Sequence, residues 1–199
     1  MANANTARGL VPYKYVSGAP YNGAANIYNV PATYATALYL GQPLVATGAS
    51  DANGIPVLQT ASAGGGAYTI GPMVGIVDGG DPVVAVTRDL PIYHPASTNQ
   101  YILVADDPNL LFWIQEDSVG GSIAMATAGM KNADLIAGNG STVTGWSGWM
   151  LDSSSINTTN SLQLRLISGL QEADNTMASS YAKWLVKINL HSLTNTTGV

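Results

Sequence analysis

The stretches that decide the fold are Leu162-Gln-Leu-Arg-Leu166 and Trp184-Leu-Val-Lys-Ile-Asn-Leu190. In the first stretch, leucine occupies every second position and alternates with Gln163 and Arg165. In the second, the apolar side chains at 184, 186, 188 and 190 face away from Lys187 and its neighbours at 183 and 189. Because side chains alternate across a β-strand, this period of two predicts two strands, each with one buried and one wet face.

Short apolar runs bounded by Gly, Pro, Asn or Asp recur along the rest of the chain. They lie at residues 37–40, 44–47, 74–77, 83–87, 90–93, 101–104 and 111–115. Many short strands separated by turn residues are typical of a β-sandwich or a β-barrel. We therefore predict an all-β fold, with a β-sandwich or β-barrel domain that covers residues 37–199.

Two further segments are defined by their glycines. Residues 51–56, Asp-Ala-Asn-Gly-Ile-Pro, predict a turn in which Gly54 takes a positive φ. Residues 118–130 have a composition compatible with a helix, but three glycines each cost a helix about 1 kcal/mol relative to alanine. We predict a loop or irregular strand there.

Residues 1–36 show no sustained period, since Gly and Pro interrupt them at short intervals. We predict an extended N-terminal arm for this segment. Its five tyrosines, at positions 13, 15, 21, 28 and 34, argue against disorder, because disordered segments are poor in aromatic residues. The arm is therefore expected to be ordered by lying either on its own domain or on a neighbouring protein.

The composition is poor in charge: 10% of residues are charged and 46% are hydrophobic, whereas soluble domains average about 25% charged residues. One explanation is a surface that is buried against other subunits, since interface cores are depleted of charge. The other is a solvated domain rich in Ser, Thr and Asn. The first explanation predicts self-association through a low-charge patch.

The formal net charge is −5, and the seven Lys and Arg residues are scattered along the sequence from Arg8 to Lys187. Nucleic-acid binding needs a basic patch, so we expect no nucleic-acid partner. The sequence has no apolar segment of signal-peptide length at its N-terminus and no run of 18 apolar residues. We expect synthesis in the cytoplasm, no export and no membrane partner.

Few residues of the chain are suited to chemistry. Cysteine is absent, and His94 and His191 have no carboxylate at metal-ligand spacing beside them. The pairs 106–107 and 116–117 are acidic, but they flank one predicted strand and are too far apart along it for joint catalysis. We predict no catalytic residue, no metal and no cofactor. A weak cation site at Asp78/Asp81 or Asp106/Asp107 stays open as an alternative.

Three tryptophans stand out. Trp113 lies in a predicted strand, while Trp146 and Trp149 lie in a stretch rich in Gly and Thr. Large aromatic side chains on irregular segments are often interface anchors. A position in the core beneath a long loop is the alternative, and the sequence does not separate the two.

Eight short sequence motifs, here called words, together resemble those of a family of tailed-phage virion proteins known as structural cement or head-decoration proteins. The words are Val30-Pro-Ala-Thr-Tyr-Ala-Thr-Ala-Leu-Tyr39, Asp51-Ala-Asn-Gly-Ile-Pro56, Pro95-Ala-Ser-Thr98, Tyr101-Ile-Leu-Val-Ala-Asp-Asp-Pro108, Ile114-Gln-Glu-Asp-Ser-Val-Gly-Gly121, Asn132-Ala-Asp134, Leu162-Gln-Leu-Arg165 and Tyr181-Ala-Lys-Trp184. The resemblance spans residues 30–191, and the order and number of the words make it specific.

The resemblance implies a non-enzymatic protein on the outer capsid surface, which binds the expanded head and clamps adjacent major capsid subunits. By analogy with decoration proteins in general, it implies a homotrimer. Tyrosine offers contact area with few rotatable bonds, together with a hydroxyl for hydrogen bonding. We therefore expect Tyr13, Tyr15, Tyr21 and Tyr28 to contact a neighbouring protein, either capsid or sister subunit.

Two other functions are weighed against this one. A tail-associated or carbohydrate-binding β module would use exposed Trp and Asp side chains to contact glycans. An enzyme of the glycosidase type would need two carboxylates from the set Asp106, Asp107, Glu116 and Asp117.

Overall fold

The computed structural model describes residues 2–77, 90–195 and 198, and within them the predicted all-β fold is confirmed. The strands are β1 Val11–Tyr15, β2 Asn26–Val30, β3 Pro43–Ser50, β4 Pro56–Thr60, β5 Gly71–Val77, β6 Gln100–Val104, β7 Leu110–Gln115, β8 Asn132–Ala133, β9 Leu135–Ile136, β10 Met150–Leu151, β11 Leu164–Gly169 and β12 Lys183–Ile188. One short helix, α1 Met125–Ala128, and a 3₁₀ turn, Ser192–Thr194, complete the described elements.

Five strands close into a small barrel in the order β2-β4-β3-β5-β6. Neighbouring strands are antiparallel except at the seam, where β2 runs parallel to β4 and Asn29 is opposite Val57. Apolar side chains from all five strands fill the interior. They are Tyr28, Val30, Leu44, Leu58, Met73, Ile102 and Val104, joined by Leu38 and Ile70.

Five other strands form an antiparallel sheet in the order β1-β7-β12-β11-β8. One face, the core face, packs against the β9–β10 hairpin and the segment before β8. Its side chains are Phe112, Ile114, Leu164, Leu166, Trp184, Val186 and Ile188. The residues that alternate with them form the outer face: Lys14, Leu111, Trp113, Arg165, Lys183, Leu185 and Lys187.

The alternation predicted for β11 and β12 is confirmed on the core face but is wrong at Gln163. This side chain was expected to face water, yet it is fully buried. Its Nε2 donates to the carbonyl oxygens of Ser62 and Ala67, and its Oε1 accepts from the backbone N–H groups of Gly64 and Leu135. The loop around residue 64 therefore covers this end of the sheet.

The prediction of an extended arm over residues 1–36, separate from a domain over 37–199, is wrong. Residues 11–15 form edge strand β1, which pairs with β7, and residues 26–30 form β2, which closes the barrel. Pro12 fits because an edge strand leaves one row of N–H groups unpaired. Of the two surfaces on which the segment could lie, its own domain is the one observed.

Two glycines bring the N-terminal segment against the barrel. Gly9 and Gly41 both have positive φ, 70° and 81°, and a Cβ added at either would overlap the backbone of the other segment. The backbone N–H of Leu10 donates to the carbonyl oxygen of Gly41 over 2.8 Å. The close crossing therefore requires glycine at both positions.

Other segment predictions have mixed outcomes. The turn at 51–56 is confirmed, with Gly54 at φ 79° and Asp51 Oδ1 accepting from the N–H of Asn53 and Ile55. The predicted strands 37–40 and 90–93 are wrong: residues 37–40 form only isolated bridges at Leu38 and Leu40, and residues 90–93 form neither strand nor bridge. Run 83–87 lies outside the described residues. The segment 118–130 is mostly loop, with the single turn α1.

Within the part of the chain that the structure describes, no helix has the length and apolar character needed to cross a bilayer.

Candidate functional site

The four tyrosines expected to contact another protein lie in different environments. Tyr13 is exposed in β1, and Tyr15 and Tyr21 are half-buried against the core of the five-stranded sheet. Tyr28 is buried in the barrel, and its hydroxyl donates to Asp106 Oδ2 over 2.6 Å. Tyr28 is therefore a core residue, and the predicted contact with a neighbour is wrong for this side chain because its own barrel encloses it.

The three tryptophans also separate. Trp149 is buried in the core of the five-stranded sheet, which is the alternative that the sequence left open. Trp113 and Trp146 are half-buried, and each lies beneath a cation: Lys183 Nζ is 5.5 Å from the Trp113 ring centroid, and Arg8 Cζ is 5.1 Å from that of Trp146. Only these two are accessible to a partner.

A groove runs beside Trp146, between the barrel and β1. It has a volume of about 210 Å³ and an almost wholly apolar lining. Leu10, Pro12, Tyr21, Met73 and Trp146 line it together with neighbouring backbone. Tyr21 and Trp146, predicted separately as contact residues, thus meet at one place.

The acidic pairs serve the chain's own fold. Asp106 accepts from the Tyr28 hydroxyl and the Asn26 side-chain amide, and Asp117 Oδ1 accepts from the backbone and the hydroxyl of Ser153. Glu116 is fully buried, and burial raises its pKa although the Ile123 N–H donates to it.

For a metal, the described ranges bring together no group of three His, Asp or Glu side chains. The Asp78/Asp81 alternative lies outside these ranges, and the Asp106/Asp107 alternative lacks a third ligand there. The enzymatic and cation hypotheses thus gain no geometric support.

Both histidines are buried and held locally. His94 Nε2 lies 2.9 Å from the carbonyl oxygen of Thr98, and His191 Nδ1 accepts from the N–H of Leu193 over 3.2 Å. Burial lowers the pKa of each ring below the ordinary histidine value. They behave as structural side chains of their own loops.

Exposed apolar side chains lie beyond both ends of β7. At the Leu110 end, Val16 is 57% exposed and its N–H donates to the carbonyl oxygen of Asn109. At the Gln115 end, Val119 is 76% exposed and its N–H donates to Asp117 Oδ1. The six residues of β7 span about 20 Å between the two ends beside which these valines lie.

The segment around Val119, residues 118–130, is uncharged and carries several exposed apolar side chains. Residues 118–130 contain no charged side chain, and Met125 and Met130 are more than half exposed. Ile123 and Ala128 of the same segment are buried in the core of the five-stranded sheet. The exposed methionines are therefore held on an anchored loop.

The outer face collects cations that the sequence places far apart. Lys14 and Lys187 are both opposite Leu111, and Lys187 is opposite Arg165, which is in turn opposite Asn132. These five side chains form one row across one face of the sheet. Sequence analysis missed the row, because its residues come from strands paired across most of the chain.

No protein-family model, no curated protein and no solved structure matches this chain.

Proposed function

We propose that the chain is a non-enzymatic decoration protein of a tailed-phage head, which binds the expanded capsid from outside and clamps adjacent major capsid subunits. The observation that carries the proposal is the pair of exposed apolar places, Val16 and Val119, at opposite ends of β7. A rigid strand between two apolar contacts suits a protein that bridges two neighbouring subunits.

The Trp146 groove adds a third contact surface. Tyr21 and Trp146 line it, and Arg8 lies over the Trp146 ring. Aromatic and arginine side chains dominate the energetics of protein interfaces. An inserted capsid side chain would bury this lining without leaving a charged group unpaired.

The mechanism needs no chemical step. A protein that binds only the expanded lattice stabilises it by mass action. Contacts to more than one subunit, and self-association as a homotrimer, would add avidity. The homotrimer is tested by sedimentation, where a monomer at all concentrations and also on the head would contradict it.

The direct test is co-sedimentation of the purified protein with expanded and unexpanded heads lacking decoration. Val16→Asp and Val119→Asp should each lower binding to expanded heads, and the double variant should abolish it. The matched control is Val143→Asp, a change at another strongly exposed valine. Equal binding to both head forms, or equal loss in all three variants, would contradict the clamp.

One further observation favours the carbohydrate-binding alternative. A groove of about 520 Å³ follows the barrel seam; its lining is more apolar than polar but includes the side chains of Tyr34, Asp51, Gln59 and Asn99. Amide, carboxylate and aromatic groups of this kind contact sugars in many sites. Binding to host glycans that is lost in Tyr34→Ala, together with no binding to heads, would favour this second function.

A further inference from the structure

The row of Lys14, Lys187 and Arg165, here called the cation row, concentrates positive charge in an acidic protein. With Lys183, the outer face holds four of the seven Lys and Arg residues, although the formal net charge is −5. Lys187 and Arg165 are directly opposite on neighbouring strands. Like charges in that position lower the stability of a sheet.

Lys183 differs from the other three because it is neutralised within the chain. Its Nζ lies 2.7 Å from Asp174 Oδ2 and 3.3 Å from Glu172 Oε2. In residues 2–77, 90–195 and 198, no carboxylate forms an ion pair with the cation row. Arg165 Nε donates to the side-chain oxygen of Asn132, and among the described residues its terminal guanidinium nitrogens have no hydrogen-bond partner.

A small cavity marks the position where an acidic group would lie. It has a volume of about 90 Å³ and is lined by Arg165, Lys187, Asn189, His191, Thr194 and Pro108. Arginine and lysine side chains are donors that hold carboxylates and phosphates, whereas the Asn189 amide and the Thr194 hydroxyl already donate to backbone carbonyl oxygens. Asp107 precedes the lining residue Pro108 in the sequence, and its carboxylate accepts a hydrogen bond from the N–H of Asn109.

We propose that the outer face binds an acidic segment of a partner protein, with a carboxylate between Arg165 and Lys187 and a second acidic group at Lys14. Neighbouring strands lie about 4.8 Å apart, so Lys14 is about 10 Å from Lys187 across the sheet. The point between Arg165 and Lys187 is then about 12 Å from Lys14, so acidic side chains at positions i and i+4 of an extended partner, about 13 Å apart on one face, would meet both places.

The surroundings favour a protein over nucleic acid. Val11 and Trp113 lie opposite each other beside the cation row and are only half-buried, so the surface is mixed apolar and basic. A protein segment offers both apolar and acidic side chains, whereas a duplex presents continuous phosphate. The proposal rests on the geometry of the sheet and is independent of the decoration role.

The test uses the full chain and four probes: a short peptide of alternating Glu and Leu, its Gln and Leu counterpart, a short DNA duplex and inorganic phosphate. Binding of the acidic peptide should weaken as salt is raised, because exposed charges are screened. Arg165→Gln with Lys187→Gln should weaken it about tenfold, since two partly exposed ion pairs together contribute that much. Lys14→Gln should have a smaller effect in the same direction.

The matched control is Lys131→Gln, which changes the net charge from −5 to −6 as Lys187→Gln alone does. It should leave peptide binding nearly unchanged. Equal weakening in Lys131→Gln and Lys187→Gln, equal binding of the uncharged peptide, stronger binding of the duplex, or no peptide binding would each overturn the proposal. Phosphate alone should bind weakly and compete with the peptide. Thermal unfolding of every variant checks the fold. If the double variant does not fold, the single variant Lys187→Gln tests the proposal in its place.

Discussion

The core face and the outer face of the five-stranded sheet are built from the same strands but differ in composition. On β7, Phe112 and Ile114 point into the core, while Trp113 between them points outward and lies beneath Lys183. Because strands alternate, adjacent residues can serve stability and binding separately. The comparison implies that the effect of a substitution depends on the parity of its position, except at Leu111 and Leu185, which lie on the outer face but are buried.

The largest effect is expected for Phe112→Ala. Phe112 is fully buried, and truncation of such a side chain costs about 3–5 kcal/mol of the free energy of unfolding. Trp113→Ala, one residue away, should cost about 1–2 kcal/mol, because it loses partial burial and the contact with Lys183. Urea denaturation with unchanged m-values measures both. Equal losses would show that the outer face is as structural as the core face.

The second effect concerns Gln163, which has outer-face parity yet is buried. Gln163→Leu leaves two backbone N–H groups and two carbonyl oxygens of the surrounding segments without this partner. Each such group costs about 1–3 kcal/mol if nothing replaces the hydrogen bond. We expect a loss of about 3 kcal/mol in the free energy of unfolding, after partial replacement by water.

The matched control for Gln163 is Gln59→Leu, the same change at an exposed position of β4. It should change the free energy of unfolding by less than about 0.5 kcal/mol. A small effect at both positions would mean that the loop around residue 64 reforms its contacts without Gln163.

Local patterns predicted the parts of the fold that depend on local order. The alternation in 162–166 and 184–190 identified two neighbouring strands of the sheet, and Gly54 identified its turn. Gln163 was assigned to the wet face because its burial depends on a loop about 100 residues away along the sequence. No local period can report such a contact.

Pairing between distant strands also explains the missed site. Residues 11–15 pair with a strand that begins at Leu110, so an irregular sequence became an ordered edge strand. The cation row joins Lys14 and Arg165, which are far apart in the sequence. They lie in one row because β7 and β12 pair between their two strands. Bulges between Pro12 and Lys14 and between Leu166 and Ser168 shift the alternation further.

The third comparison concerns how the free energy of unfolding changes with pH. Glu116 continues the core-face parity of β7, and burial raises its pKa above the ordinary glutamate value. The folded chain therefore holds this proton more tightly than the unfolded chain. Stability from this group is present below the ordinary glutamate pKa and is lost as pH rises through the raised value.

Glu116→Gln should make the free energy of unfolding less dependent on pH in this range, because an amide does not titrate. Its oxygen can still accept the hydrogen bond from the Ile123 N–H. Urea denaturation of both proteins across the acidic range gives the difference. Parallel profiles would mean that the carboxyl titrates alike in the folded and unfolded chains.

The smallest effect is expected for Lys187→Met, and its sign is the informative result. The substitution keeps the aliphatic stem that can cover the outer face and removes one charge opposite Arg165. Relief of a like-charge pair should raise the free energy of unfolding by about 0.2–1 kcal/mol. A loss of stability would show that the lysine charge has a structural partner. A gain in stability together with weaker binding of the acidic peptide would show that the cation row lowers the stability of the sheet and serves recognition.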